Sequence, residues 1–241
     1  PIYQRKLEEH NALDFDDLMQ KTVQLFEKCP EVLAKYHKKW NHLMVDEYQD
    51  TNSIQAQIIQ KLAKGNENNV LAGAVTGGMF RSTNAGNTFI KTTDPGQMHS
   101  VTCVAQDVRA GHQDTWYYGT GENYGVVSGT SFSSLYSGDG IFKSTDGGQS
   151  WTKLASTSSG TPETQETSGE FDFVSNIVTD HTNLTDDVVL ASVYNGIYRS
   201  IDGGDNWNLV LGSETATSGS RYVELEKTST GIFYATFSAD G

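Results

Sequence analysis

The chain has 241 residues, with 17 Lys and Arg against 30 Asp and Glu, a net charge of −13. This length allows one large or two medium domains, and no apolar run reaches the length that spans a bilayer, so no membrane role is expected. Composition breaks near residue 69. Residues 1–69 hold a single glycine, Gly65, and the other 23 follow; the net charge is −2 before the break and −11 after it. An acidic second part argues against non-specific binding to nucleic acid or anionic membranes by that part. Cys29 and Cys103 fall on opposite sides of the break, which implies no disulfide framework.

In the first part, Phe15, Leu18, Met19, Thr22, Val23 and Phe26 form one apolar stripe at helical spacing. Asn11 or Asp14 can cap that helix, and Pro30 marks its end or the next start. The pattern predicts helices near Asp14–Lys28, Glu31–Lys39 and Ser53–Lys64, with Phe15, Leu18, Phe26, Ile54, Ile58 and Leu62 as a small core. Between the last two, Leu43–Val45 reads as a short buried strand that ends in Asp46-Glu47. A carboxylate at a strand's C-terminal end can hold Mg²⁺, and one beside it can activate the water that attacks a γ-phosphate. A lone Asp-Glu pair is more often a solvated loop.

The surrounding residues change that balance. NALDFDDL at Asn11–Leu18, then PEVLAKYHKKW, then LMVDEYQDTN at Leu43–Asn52 closely resembles the UvrD/PcrA/Rep group of superfamily 1 DNA helicases. The resemblance makes VDEYQDTN the Walker B motif of a P-loop helicase domain. It implies Asp46 as the Mg²⁺ ligand, Glu47 as the catalytic base, and Gln49 and Asp50 as the residues that couple the nucleotide site to neighbouring motifs. ATP, Mg²⁺ and DNA are implied for the parent helicase only, in the cytoplasm. The family also needs G-x-x-x-x-G-K-[ST] to cradle phosphates, and this chain contains no Gly-Lys dipeptide. After Asn69 the helicase pattern stops. The expected product is part of an ATPase site and not a working one.

From residue 70 short strands alternate with turn signals. Expected strands are Val70–Ala74, Met79–Ser82 and Asn87–Thr92; then Val101–Gln106, Thr115–Thr120, Ile141–Ser144 and Ser150–Leu154; then Ser175–Thr179, Val188–Val193, Ile197–Ser200 and Asn206–Leu211; then Tyr222–Glu226 and Phe233–Phe237. Glu122–Gly138 and Thr157–Gly169 read as surface loops. One pattern recurs: GMFRSTNAGNTF from Gly78, GIFKSTDGGQSW from Gly140 and GIYRSIDGGDNW from Gly196, with serines 62 and 56 residues apart. Each copy is a strand, a Ser-x-Asp/Asn-x-Gly turn and an aromatic residue: Ser82, Asn84, Gly86 and Phe89; Ser144, Asp146, Gly148 and Trp151; Ser200, Asp202, Gly204 and Trp207. A repeat of this length means a modular all-β array. The Asp folds back on turn N–H groups, and the aromatic residue covers the turn.

This pattern resembles the Asp-box (BNR) repeat of β-propellers such as sialidases, sortilin-type receptors and xyloglucan-active glycosidases. The resemblance implies about three blades in residues 70–241, incomplete at both ends, with the box as a structural turn outside any catalytic site. Pro1 and Gly241 both read as cut points. A sialidase would need an arginine cluster, but Arg81, Lys143 and Arg199 each directly precede the repeat's serine, and only Arg109 and Arg221 remain. A glycosidase needs two carboxylates flanking its bond, and no spacing singles out a pair. TWYYGT at Thr115–Thr120 could stack on a sugar or form a core strand; aromatic preference for strands favours the core. His99, His112 and His181 have no metal-ligand spacing.

The expected fold is thus two-part: a small α-helical fragment of a P-loop helicase domain (1–69), then an all-β partial β-propeller (70–241). The propeller's expected partner is a carbohydrate or a protein, and its expected place is secreted or at the cell surface. That conflicts with a cytoplasmic helicase and points to a chimera. The alternative function is a secreted propeller that binds or hydrolyses a polysaccharide.

Overall fold

A computed structural model describes residues 2–39, 44–45, 51–63, 70–97, 100–121, 138–158, 171–194, 196–212 and 223–237. The chain divides into two compact units, Pro1–Leu71 with Ser82–Ile90, and Ala72–Arg81 with Lys91–Gly241. No helix among the described residues is long and apolar enough to cross a membrane.

The first unit contains helices α1 (Ile2–Glu9), α2 (Phe15–Lys28), α3 (Pro30–Lys39) and α4 (Ser53–Ala63) and the two-residue strand β1 (Met44–Val45). Asp14 caps α2 rather than Asn11: its Oδ1 accepts from Asp17 N–H at 2.8 Å, and Asp17 Oδ2 accepts from Asp14 N–H at 3.5 Å, a reciprocal capping box. Pro30 opens α3, where its missing N–H costs nothing. Asn52 caps α4, its Oδ1 accepting from Ile54 and Gln55 N–H. Helices α2, α3 and α4 pack on one another. Among the described residues their buried apolar side chains are few: Val23, Phe26 and Ala63. Phe26 meets Tyr36 edge-on at 5.9 Å, and Lys61 pairs with Glu27 at 3.0 Å. Leu18, expected in this core, is 51% exposed.

Strands β2 (Val70–Ala74), β3 (Gly78–Ser82) and β4 (Ile90–Lys91) follow β1 in one sheet of order β1-β2-β3-β4. Met44–Val45, within the run read as a short buried strand, thus pairs with β2.

The remaining strands form antiparallel meanders. Strands β5 (Val101–Gln106), β6 (Trp116–Thr120), β7 (Ile141–Ser144) and β8 (Thr152–Lys153) lie in the order β5-β6-β7-β8. Strands β9 (Val174–Thr179), β10 (Val189–Val193), β11 (Gly196–Ser200) and β12 (Asn208–Gly212) repeat that order, and β13 (Val223–Lys227) pairs with β14 (Phe233–Phe237). Four-stranded meanders of this kind are propeller blades. In a meander, successive connections alternate edges. The β5–β6 and β9–β10 loops therefore share one edge with the Ser-x-Asp-x-Gly turns that join β7 to β8 and β11 to β12. Ala155–Thr157, between the expected strand ending at Leu154 and the expected loop from Thr157, forms a 3-10 turn.

The first strand of one blade packs beside the first strand of the next. Thr102 Oγ1 donates to Val174 O, and Ser175 Oγ donates to Val223 O at 2.6 Å. Both hydroxyls occupy the second position of their strands. Thr179 Oγ1 to Gln106 O and Asn176 Nδ2 to Leu225 O, each 2.7 Å, complete the seams. Such polar links are needed because adjacent blades share no backbone ladder. An apolar layer of Tyr117, Ile141, Leu154, Phe171, Ile177, Val189 and Tyr198 fills the space between the two complete blades. Gly119 is fitted to that layer: a Cβ there would lie 2.6 Å from Val174 Cγ1 and 2.7 Å from Cys103 Sγ. Gly119→Ala should therefore destabilise the fold by about 1–3 kcal/mol through overpacking. Urea unfolding checks this, and an unchanged midpoint would contradict the packing described.

Candidate functional site

The three Ser-x-Asp/Asn-x-Gly turns share one hydrogen-bond pattern. Each serine is buried at the end of its strand. Its Oγ donates to the Asx side chain two residues on, at 2.7 Å for Asp146 and Asp202 and 2.9 Å for Asn84. The same Oγ accepts from the backbone N–H of Gly86, Gly148 and Gly204 at 2.9, 2.9 and 2.8 Å. The Asx oxygen then accepts from the N–H four residues later, at Thr88, Ser150 and Asn206. The two central positions take φ > 0: Gly147 and Gly148 at 72° and 79°, Gly203 and Gly204 at 72° and 104°, Ala85 and Gly86 at 57° and 77°. Ala85 is the strained member, since an L side chain disfavours this region. Trp151 Nε1 donates to Thr92 Oγ1 at 3.0 Å, Trp207 Nε1 to Gly204 O at 3.0 Å, and Phe89 occupies the third aromatic position.

Burial alone would raise the Asp146 carboxyl. Hydrogen bonds from Ser150, Ser144 and Gln149 outweigh it and hold the group at about 2. Asp202, bonded by Asn206 and Ser200, also lies at about 2.

The same edge carries a charged cluster that spacing did not reveal. Asp107 directly follows β5, and Arg109 folds back onto it: Nη2 to Oδ2 is 2.6 Å and Nε to Oδ1 is 3.0 Å. Nη2 also bonds Asp187 of the β9–β10 loop, and Nη1 donates to the carbonyls of Asp186 at 2.9 Å and Asn183 at 3.2 Å. The Arg109 side chain is 6% exposed. His112 Nδ1 lies 3.6 Å from Asp107 and 3.7 Å from Asp187. Asp187 O accepts from Gly203 N–H at 2.8 Å, which ties the cluster to the third turn. The ligating atoms of Asp107, His112 and Asp187 lie close enough to hold a cation, but the Arg109 guanidinium already takes that place. Desolvation would raise the Asp107 carboxyl; its bonds to Arg109 outweigh this and lower it. The bond to Asp107 in turn keeps Arg109 protonated. The next blade has a counterpart. Asp180 directly follows β9 and meets Lys227 at 2.5 Å, with His181 at 3.2 Å from the same ammonium. Neither cluster could be found from sequence, because its members are 78 and 47 residues apart.

Other expected site residues fall as follows. Asp46, Glu47, Gln49 and Asp50 lie outside the described residues, as do His99 and Arg221. Trp116, Tyr117 and Tyr118 are buried in β6, which removes them as a sugar platform. Lys143 donates to Gly203 O at 3.0 Å, next to Tyr117 Oη at 3.2 Å from the same oxygen. Both cysteines are free thiols.

A pH dependence follows from the two turns. Carboxyls depressed to about 2 when folded, against about 3.9 when unfolded, stabilise the fold above pH 4; that contribution is lost as pH falls toward 2. Asn84 shows that an amide supports the same turn. The double variant Asp146→Asn, Asp202→Asn should therefore fold, and its stability should fall less between pH 4 and 2 than that of the parent. Denaturant melts at a series of pH values measure this; parallel curves would refute it.

Comparison with known proteins separates the two parts. Residues 1–90 match the family model of the UvrD/REP helicase N-terminal domain. The ATP-dependent DNA helicase PcrA of Bacillus subtilis is 42% identical over 79 residues, covering 33% of this chain and 11% of that protein. PcrA of Staphylococcus aureus is 48% identical over 71 residues, covering 30% and 10%. The chain thus spans about a tenth of the length of the curated relatives it matches. Among solved structures, an ancestral GH74 enzyme aligns over 74% of this chain and 21% of its own, with a TM-score of 0.53 and 22% identity. The protein YCF48 bound to D1 peptide aligns over 71% and 45%, with a TM-score of 0.43 and 16% identity. Residues 1–90 therefore carry the UvrD/REP helicase N-terminal signature, and the meanders that follow have the fold of a β-propeller.

Proposed function

We propose that residues 1–69 are a segment of the ATPase motor of an ATP-dependent DNA helicase, and that this chain by itself does not turn over ATP. The observation that carries the first half is the 42–48% identity to PcrA helicases over a stretch of 71–79 residues. In this reading VDEYQDTN is a Walker B motif. Asp46 would hold Mg²⁺, Glu47 would be the base, and Gln49 and Asp50 would couple the site to its neighbours. ATP, Mg²⁺ and DNA are the parent enzyme's cofactors and partner, and the cytoplasm its compartment.

The second half rests on the absence of G-x-x-x-x-G-K-[ST] anywhere in the 241 residues. Without a phosphate cradle the γ-phosphate is not positioned, and positioning is most of phosphoryl-transfer catalysis. The residues present do not fit the nucleotide, and no catalytic step is assigned to it.

For residues 70–241 the reading is an Asp-box (BNR) propeller whose boxes are structural. The serine and Asx side chains of each box are bonded within its own turn. The likeness to a GH74 enzyme raises polysaccharide hydrolysis as a second reading. The Asp107 and Asp187 carboxylates lie within 4.8 Å of each other, closer than the about 5–5.5 Å of a retaining glycosidase pair. Arg109 also binds both, and a carboxylate held ionised cannot act as a general acid. Binding of a carbohydrate or protein, in a secreted or surface setting, suits the propeller better. A cytoplasmic motor segment and a secreted propeller do not share a compartment, which supports a chain joined from two sources near residues 66–70.

An ATPase assay with single-stranded DNA tests the proposal. The expected outcome is turnover no higher than that of the Glu47→Gln variant. DNA-stimulated hydrolysis that Glu47→Gln abolishes would overturn it.

A further inference from the structure

The edge that carries the repeat turns is apolar and acidic at once. Leu184 of the β9–β10 loop is 84% exposed, and Val108 of the β5–β6 loop and Ile201 of the third turn are each about half exposed. Short links hold the three together. Arg109, next to Val108, donates from Nη1 to the carbonyl of Asn183, next to Leu184. Asp187 of the same loop bridges to Asp202, next to Ile201. Single exposed apolar residues are ordinary, but neighbours gathered on one edge mark a contact surface. The exposure persists where the following elements are already in place. Gly231 of the β13–β14 loop lies so close to Thr182 that a Cβ there would come within 2.9 Å of its Oγ1, and Leu184 is still exposed. Val108 is exposed although a complete blade follows its own. The third turn does not require Ile201, since Thr83 and Thr145 hold that place in the other two copies of the same hydrogen-bonded turn.

Charge narrows the partner. The segments 107–115, 145–151, 180–188 and 201–207 on this edge hold eight aspartates. Their one Lys or Arg is Arg109, whose buried guanidinium is taken up by Asp107 and Asp187. Asp114, Asp186, Asp187, Asp202 and Asp205 are exposed. Such an edge repels nucleic acid and anionic membranes, and its exposed aliphatic groups offer no ring to stack on a sugar. It complements a segment that is both cationic and apolar. We propose that Val108, Leu184 and Ile201, with the aspartates around them, form a docking surface for a partner protein that presents a Lys- or Arg-rich amphipathic segment. This deepens the reading of residues 70–241 as a binding propeller and rests on it.

A labelled peptide of three Lys-Leu-Leu-Lys repeats, titrated with the full chain at about 0.15 M ionic strength, should show saturable anisotropy. Peptides of Lys-Ser-Ser-Lys, equal in charge, and Glu-Leu-Leu-Glu, equal in apolar content, should bind about tenfold more weakly or worse. The double variant Leu184→Ser, Ile201→Thr, checked for an unchanged melting temperature, should weaken binding of the first peptide by about tenfold or more. Asp114→Asn with Asp205→Asn should do the same. Equal affinity for the Lys-Ser-Ser-Lys peptide overturns the proposal, because charge alone then suffices. So does binding of the first peptide that survives both double variants. Retention of the chain by xyloglucan in affinity electrophoresis, with no peptide binding, overturns this surface and leaves the binding reading standing. Failure in both assays counts against that reading as well.

Discussion

A single buried hydroxyl organises each repeat. Ser144 Oγ accepts from the Gly148 N–H and donates to Asp146, whose other acceptor sites take the N–H groups that close the turn. Two strands that arrive at the outer edge of a blade meet backbone groups with no ladder partner there. A buried N–H left unpaired costs about 1–3 kcal/mol, and the serine and its Asx partner remove several such costs at once. The turn then places its aromatic residue: Trp151 reaches Thr92, and Trp207 packs against Phe171 at 5.4 Å. Ser82 with Asn84 builds the same turn in the first unit. Geometry and not charge is therefore the common requirement, and the negative charge of Asp146 and Asp202 is held because the turn solvates it.

Blades are joined by a second device. No ladder runs between them, so their inner strands are tied by hydroxyls and amides: Thr102 to Val174, Ser175 to Val223, Asn176 to Leu225. Farther out, ions replace hydroxyls. Arg109 clamps Asp107 to the loop that holds Asp187, and Lys227 does the same for Asp180. Pairs this buried owe their retention to geometry more than to net Coulomb energy. Five donor groups on one guanidinium satisfy two carboxylates and two carbonyls, a set that a lysine could not reproduce. The arrangement that a metal would have taken is filled by the protein's own cation.

The first unit obeys a different rule. Its helices are capped by Asp14 with Asp17 and by Asn52 with Gln55, both local devices. Its buried apolar set is small, with Leu18 half-exposed. No G-x-x-x-x-G-K-[ST] stretch occurs in the 241 residues.

Sequence alone determined whatever depends on neighbours a few residues apart. The helical stripe of α2, the alternation of the strands and the S-x-D-x-G spacing are local, and the strands of both full blades lie within one or two residues of where their patterns put them. The helicase signature at Asn11–Asn52 was legible for the same reason, as a contiguous motif. Only the tertiary structure decided the rest. The two readings of Trp116–Tyr118 differ solely in what covers the strand, and the covering residues, Phe142, Trp151 and the next blade, come from elsewhere in the chain. The Arg109 cluster joins residues nearly eighty positions apart, and His112, which has no ligand spacing in the sequence, stands among them. The partner strand of Met44–Val45 could not be read either, because a two-residue apolar run fits many sheet edges and only the assembled sheet selects one.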